Sequence, residues 1–422
     1  MKINIDPVLS SRLKAAWKKL SPAQQNQIAP ILAKANQQAV TVSQTGALPP
    51  ADPSVPHQAL LASSALTDDK DAVVSSLNLK PDQLIVGPGG EIWGTGKYQQ
   101  LDPGWVEAAV IWLEHLILGK HAFNNSIPKT ITIPDDVEIA IAGDWGTGDW
   151  RTAANPAPSA DVGRYIDFLK PHLTVHLGDV YYAGTNDQEQ HLLVNIWPKG
   201  SLGALTMNSN HEMYSGAKPY FQKALGSPLF KIQQKCSFFA LENANWVIVG
   251  LDSAYYSDEA GLYMHGSLHP AKGPTTQVDF LKTQVAKGKK VIVLTHHNGL
   301  AQDGSGPDNA SNANNLWVQV MSAFPAGKGP DYWYWGHVHA AAVYKPYGPA
   351  NVLCRCCGHG ALPWGHASDL ANSQHVAWYE NRNARDTDIP ERVFNGFAVL
   401  KLAGSNLQEI FYDENGGIAW QS

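Results

Sequence analysis

A chain of 422 residues, 44 % hydrophobic and 16 % charged, has enough apolar material to bury a large core without disulfide or metal staples. Its formal charge of −6 excludes a global electrostatic footprint for nucleic acid or anionic membrane. It holds 4 Cys, three of them crowded into Cys354-Arg355-Cys356-Cys357, which is neither a disulfide framework nor the paired spacing of a zinc ribbon.

The stretch Met1 to Pro7 lacks the apolar segment of a secretory signal, and no apolar run reaches the roughly 18–20 residues of a membrane span. The longest candidate, Trp105 to Leu118, is broken by Glu107, Glu114 and His115. A cytoplasmic protein is the expectation, with non-classical export as the alternative.

Leu9, Leu13, Trp17 and Leu20 fall at helical spacing and predict a helix from Pro7 to Leu20. Ser21-Pro22-Ala23-Gln24 then supplies an N-cap, a Pro at the first helical position and a Gln three residues on, which is a capping box. It opens a second helix through Ile28, Ile31 and Leu32 to about Gln37. The two helices read as a hairpin packed on itself or on the main body, with a protein-partner surface as the other reading. From Ala39 to about Ser64, Pro49, Pro50, Pro53 and Pro56 signal a linker or extended arm. Residues 1–66 are assigned to this hairpin and Pro/Ala/Ser-rich linker, 67–134 to a helical and loop extension packing on the body, and 135–422 to the catalytic domain.

Gly87 to Tyr98 is glycine-rich but is not a phosphate-binding P-loop. Glu91 stands where the first Gly is needed, and Tyr98 replaces the Ser/Thr that would hold magnesium. A hairpin or loop is predicted there. Asp102-Pro103 caps a helix through Trp105, Ala109, Trp112, Leu116 and Leu118.

From Val137 the pattern changes to buried strands that end on polar residues. Val137–Ala142 runs into Gly143-Asp144-Trp145-Gly146, where the glycine spacing is wrong for a dinucleotide fold. A crossover helix between Ser159 and Lys170 follows, then Leu173–Leu177 and Gly178-Asp179-Val180-Tyr181-Tyr182. Leu202–Met207 leads to Ser209-Asn210-His211-Glu212, Val291–Leu294 to Thr295-His296-His297, and Tyr332–Trp335 to Gly336-His337-Val338-His339. Strand C-termini are where α/β sheets place ligands. Singly, each of these residues has an ordinary structural role as a turn, a cap or a satisfied histidine. Five successive strand ends carrying Asp, Asp with Tyr, Asn-His, His-His and His-x-His instead point to two adjoining metal sites.

In their order and spacing these five motifs resemble the calcineurin-like metallophosphoesterases, and within them the purple acid phosphatase branch. The likeness covers roughly residues 135–402. Gly146 stands where most of that superfamily has a metal-binding His, and Ser209 where a Gly usually precedes Asn-His. The resemblance implies a four-layer α/β (α+β) sandwich, two mixed β-sheets flanked by helices, preceded here by the helical N-terminal extension. It implies Fe(III) held by Asp144, Asp179, Tyr182 and His339, and a divalent Fe, Zn or Mn held by Asp179, Asn210, His296 and His337. Hard oxygen donors suit the trivalent ion and imidazoles the divalent one. It implies hydrolysis of a phosphate ester, a phosphomonoester first and a phosphodiester of nucleotides or lipid head groups second, by a hydroxide formed on the metals. His211 is the expected phosphoryl contact or leaving-group acid. His297 is read either as a second substrate contact or as a structural histidine. Arg355 and His359, on a strand that passes beside the site in that family, are candidate substrate contacts or buried structural groups. A non-catalytic metal- or phosphate-binding protein, or a delivered effector, is the rival class.

Overall fold

The computed structural model describes residues 5–45, 57–66 and 85–422. The predicted first helix is α1 (Pro7–Lys19), and the capping box forms as expected: Gln24 N–H donates to the Ser21 hydroxyl at 3.3 Å, while Ser21 N–H donates to the Gln24 side chain at 3.0 Å. The linker prediction is corrected at both ends. α2 (Pro22–Thr45) continues past Gln37, and α3 (His57–Leu66) occupies the C-terminal part of the predicted arm. The prolines that signalled a linker, at 49 to 56, lie outside the described residues. What lies beyond them is helical because Ala59, Leu61, Ala62 and Ala65 are buried, with Leu61, Ala62 and Ala65 in a common core with Leu13, Ala16 and Ile28, and tertiary burial overrides local composition.

That core continues through α4 (Trp105–Leu118) into the body, reaching Tyr181, Tyr182 and Met213. Trp112 is buried and its indole N–H donates to the Glu259 carbonyl at 2.9 Å. The helical hairpin thus packs on the body by way of α4. The glycine-rich stretch before α4 forms the antiparallel pair β1 (Ile85–Val86) and β2 (Ile92–Trp93).

The body is the predicted four-layer sandwich. One sheet runs in the order β16 (Ile418–Gln421), β15 (Asn406–Asp413), β14 (Gly396–Ala403), β4 (Asp136–Ala142), β5 (Leu173–His176), β6 (Gly203–Thr206). The other runs β13 (Val376–Tyr379), β11 (Ala341–Tyr344), β12 (Leu353–Cys357), β10 (Tyr332–Trp335), β9 (Lys290–Thr295), β8 (Trp246–Leu251), β7 (Phe239–Glu242), β3 (Ile131–Thr132). Ile139, Ile141, Val175 and Leu205 from the first meet Ile248, Ile292, Leu294 and Tyr334 from the second in the central layer. Strand alternation sends Ala140, Ala142 and Ala204 to the opposite face, under α5 (Pro158–Leu169). Val247, Val249, Val291 and Val293 likewise pack under the helix Thr276–Val285. β4, β5 and β6 are mutually parallel, as are β8, β9, β10 and β12, so their C-terminal ends gather along one edge of the sandwich.

One candidate site residue belongs to this architecture instead. Arg355 on β12 makes a bidentate pair with Glu409 on β15, at 2.7 and 2.8 Å, and Tyr334 also donates to Glu409 at 2.6 Å. Arg355 therefore joins the two sheets in the interior and is not a substrate contact.

Two stability measurements test this packing. Trp112→Ala is expected to cost about 3–5 kcal/mol in chemical denaturation, with the extension and the body unfolding in one transition. Arg355→Ala, which strands Glu409 as an unpaired buried charge, is expected to cost about 3–5 kcal/mol while leaving the activity of the remaining folded protein unchanged.

Candidate metal centre

Each sequence motif follows the C-terminal end of a parallel strand, Asn210 and His211 at the start of a short helix, and at three of the motifs the backbone is unusual. Asp144 (φ 58°), Asp179 (φ 77°), His337 (φ 67°) and His339 (φ 53°) all adopt left-handed conformations. Non-glycine residues rarely occupy that region, at a cost of order 1–3 kcal/mol each, and such residues cluster at functional sites. The strain turns both carboxylates and both imidazoles back over the strand ends.

Asp144 and Asp179 are completely buried. Asp144 Oδ2 accepts the His337 backbone N–H at 2.8 Å, and its Oδ1 lies 3.3 Å from His339 Nε2. Asp179 Oδ1 lies 3.3 Å from His296 Nε2, and its Oδ2 lies 3.9 Å from His339 Nε2 and 3.9 Å from His211 Nε2. Asp179 thus stands between the imidazoles of His296 on one side and His339 and His211 on the other. His337 and His339 are partly exposed and mark the side on which the centre opens.

The tyrosine that faces the carboxylates is the neighbour of the expected one. Tyr182 turns away and donates its hydroxyl to Asp102 in the N-terminal extension. Tyr181 takes the position at the centre, its hydroxyl 2.7 Å from Asp179 Oδ2, 3.4 Å from Asp144 Oδ1 and 3.3 Å from His339 Nε2. The reason lies in the first motif. Gly146 and Val180 form a parallel bridge in which Gly146 N–H donates to the Asp179 carbonyl and Tyr181 N–H to the Gly146 carbonyl. A Cβ on Gly146 would lie 2.6 Å from the Asp179 carbonyl oxygen, so no His fits there. The bridge carries Tyr181 directly into the space.

The second half-site contains Asn210, His296 and His337. His296 Nδ1–H donates to the Leu177 carbonyl at 2.8 Å, which leaves a lone pair on Nε2. That nitrogen faces Asn210 Oδ1 at 2.9 Å and Asp179 Oδ1 at 3.3 Å. Asn210 spends its amide N–H on the Tyr214 hydroxyl, so its oxygen is the end that faces inward. Burial lowers the His296 pKa and favours the neutral ring. His296 Nε2 and Asn210 Oδ1 therefore face each other as acceptors with no proton between them, beside Asp179 Oδ1, an arrangement that a cation satisfies. His337, with Nε2 3.1 Å from the Met264 carbonyl, turns its ring against His296.

The carboxylates show the same demand. Burial and the neighbouring Asp179 push Asp144 up to about 8. Burial also opposes charge on Asp179, but His211 and His296 outweigh it and hold Asp179 well below the usual range. For His339, burial is outweighed by Asp144 and Asp179, which raise it to about 9. The donor set of carboxylates, phenol, amide oxygen and imidazoles fits a hard and a borderline metal ion side by side.

His211 is buried beside the bridging carboxylate, with Nδ1–H donating to the Tyr182 carbonyl at 2.7 Å. His297 is not poised for substrate. Its Nδ1 pairs with the Ser253 hydroxyl at 2.9 Å and its Nε2 with the Tyr263 carbonyl at 2.7 Å, so both ring nitrogens are occupied and it acts as a wall against His337. His359 is buried near His339, lining a small cavity with Trp364, Glu380 and Asn395, and burial pushes it down to about 3.

Ser209 is a residue whose role the sequence did not disclose. Its hydroxyl donates to Asp179 Oδ1 at 2.5 Å and meets the Glu212 carboxyl, while it also accepts the His211 N–H at 3.0 Å. Burial, with Glu189 and Asp179 adding to it, pushes Glu212 well above the carboxylate range, so Glu212 is the protonated partner of this chain. The backbone at Ser209 is extended, with φ −136°, and needs no glycine. Its position immediately before Asn210 was the available signal.

Among solved structures the chain is similar to a dimetal phosphatase from Danio rerio, with 14 % identity over 66 % of this chain and 95 % of that one, at a TM-score of 0.39. It is also similar to a hypothetical protein from Thermus thermophilus, with 13 % identity over 68 % of this chain and 97 % of that one, at a TM-score of 0.33. No curated protein matches the sequence significantly. The stretch that carries every donor of the centre, residues 137–341, matches the calcineurin-like phosphoesterase family.

Proposed function

We propose that the protein is a binuclear metal-dependent hydrolase of phosphate esters, acting on phosphomonoesters. The observation that carries the reading is the pair of acceptors, His296 Nε2 and Asn210 Oδ1, that face each other at 2.9 Å with their own N–H groups spent elsewhere, beside the buried carboxylates of Asp179 and Asp144. The family match over residues 137–341 supports it. Asp144, Asp179, Tyr181 and His339 would hold one ion, and Asp179, Asn210, His296 and His337 the other. The phenol of Tyr181 favours Fe(III) in the first position, and the imidazoles favour divalent Fe, Zn or Mn in the second. That assignment makes the centre purple acid phosphatase-like, with Tyr181 in the role expected of Tyr182.

When bound, such a pair supplies Lewis-acid charge and lowers the pKa of water. The chain's own contribution is orientation and proton transfer. Asp179 fixes the spacing of the half-sites, and Ser209 holds one of its oxygens. His211, with Nδ1–H committed to the Tyr182 carbonyl, presents Nε2 towards Asp179; when that nitrogen is protonated as well, the ring passes the Nε2 proton to the leaving oxygen and returns to its neutral Nδ1–H form. His337 and His339, partly exposed, border the entrance through which the ester arrives.

Hydrolysis of p-nitrophenyl phosphate beside bis(p-nitrophenyl) phosphate tests the substrate class. Faster turnover of the monoester is expected; preference for the diester would move the reading to a phosphodiesterase, and turnover of neither would contradict it. On an alkyl phosphate, His211→Ala is expected to keep its metals and lose about 10²–10⁴-fold in rate. Unaltered turnover in that variant would remove His211 from its role.

A further inference from the structure

The N-terminal extension reaches the centre at Asp102. We propose that Asp102, acting through Tyr182, is a positioning residue for His211, which makes residues 85–118 part of the catalytic apparatus. The proposal rests on the reading of His211 as the proton donor to the leaving group.

Asp102 is fixed before it meets Tyr182. Its Oδ2 accepts the Tyr98 N–H at 2.7 Å, its Oδ1 accepts the Gly104 N–H at 2.8 Å, and the residue is buried. Onto this carboxylate the Tyr182 hydroxyl donates. The Tyr182 ring is clamped as well, edge-on to Trp105 at 4.7 Å and against Tyr98 at 4.9 Å between centroids, with the Lys97 ammonium 4.5 Å from its centre. Gly104 permits that approach, since a Cβ there would lie 2.5 Å from the Tyr182 hydroxyl oxygen. All of these partners belong to the extension.

The other end of Tyr182 is its carbonyl, which accepts His211 Nδ1–H at 2.7 Å. Because a carbonyl only accepts, the contact selects the tautomer with the proton on Nδ1 and leaves Nε2 free on the side of Asp179. Asp102 and the aromatic clamp immobilise the side chain of Tyr182, and so fix the carbonyl that sets the ring plane of His211. Trp105 adds a direct contact, 5.8 Å from the His211 ring. A segment with no metal ligand of its own thereby governs the direction in which His211 delivers a proton.

Two readouts on Tyr182→Phe and Asp102→Asn test this. The first is NMR of the histidine ring nitrogens after exchange into zinc. Wild type is expected to show a hydrogen-bonded Nδ1–H on His211, and both variants to show it broadened by exchange with water, at unchanged metal content. The second is leaving-group dependence. An alkyl phosphate, which needs a protonated leaving oxygen, is expected to lose about ten- to a hundredfold, and p-nitrophenyl phosphate, whose leaving group needs no proton, less than about twofold. A sharp Nδ1–H signal in the variants, or equal losses on both esters, would overturn the proposal. If wild type hydrolyses neither ester, the phosphoesterase reading fails, and the NMR signal still decides whether Asp102 orients His211. A wild-type His211 without a proton on Nδ1 would refute that link.

Discussion

Two fully buried carboxylates, Asp144 and Asp179, stand beside each other at the ends of adjacent parallel strands, and the rest of the molecule is arranged around that conflict. Like charges held together without water are costly, so such a pair must take up a proton or a cation. Ser209 gives its O–H to Asp179 Oδ1, but at Asn210 and His296 the protein turns no N–H toward the pair. It adds further lone pairs, and it spends the ring N–H of His296 and the amide N–H of Asn210 on Leu177 and Tyr214. Stability given up at this point is recovered in the surrounding sandwich, whose three apolar cores and inter-sheet Arg355–Glu409 pair leave the strand ends little freedom to relax. The left-handed backbone at Asp144, Asp179, His337 and His339 is the local expression of the same constraint.

Much of this was legible in the sequence because strand ends are punctuated by residue type. An apolar run followed by Gly-Asp, Asn-His or His-x-His gives both the element and the direction of its terminal side chains, and the five motifs in order carried the fold. What the sequence could not convey was which of two adjacent tyrosines enters the site. Tyr181 and Tyr182 differ by one position, and the choice is made by the bridge between Gly146 and Val180, a long-range contact with no local signature. Arg355 stayed open between pocket and interior for a related reason: its partner Glu409 is 54 residues away on a different sheet. The linker expectation ran too far at both ends because composition does not report the tertiary burial that makes residues 59–65 helical.

The N-terminal extension changes meaning once the structure is considered. In sequence it is a helical hairpin joined to a glycine-rich stretch without chemistry. In the fold its α1 and α3 cover α4, and the residues just before α4 hold Tyr182. On the opposite side the β1–β2 hairpin holds Trp364, whose indole donates to the Gly89 carbonyl and whose ring stands edge-on to His339 at 4.7 Å. The extension therefore contacts both flanks of the centre through one intermediary on each side. Substrate selectivity in such a site resides in the loops and added segments more than in the ligands, and this extension is such a segment.

The central claim, that the facing donors form a two-metal centre with Tyr181 as its phenolic ligand, is tested most directly by elemental analysis with a visible spectrum on the same purified sample. The expected result is two metal ions per chain with a tyrosinate–iron(III) charge-transfer band that vanishes in Tyr181→Phe and survives in Tyr182→Phe. Folded protein without stoichiometric metal would contradict the account. Two metals with a band that depends on Tyr182 would overturn the assignment of Tyr181.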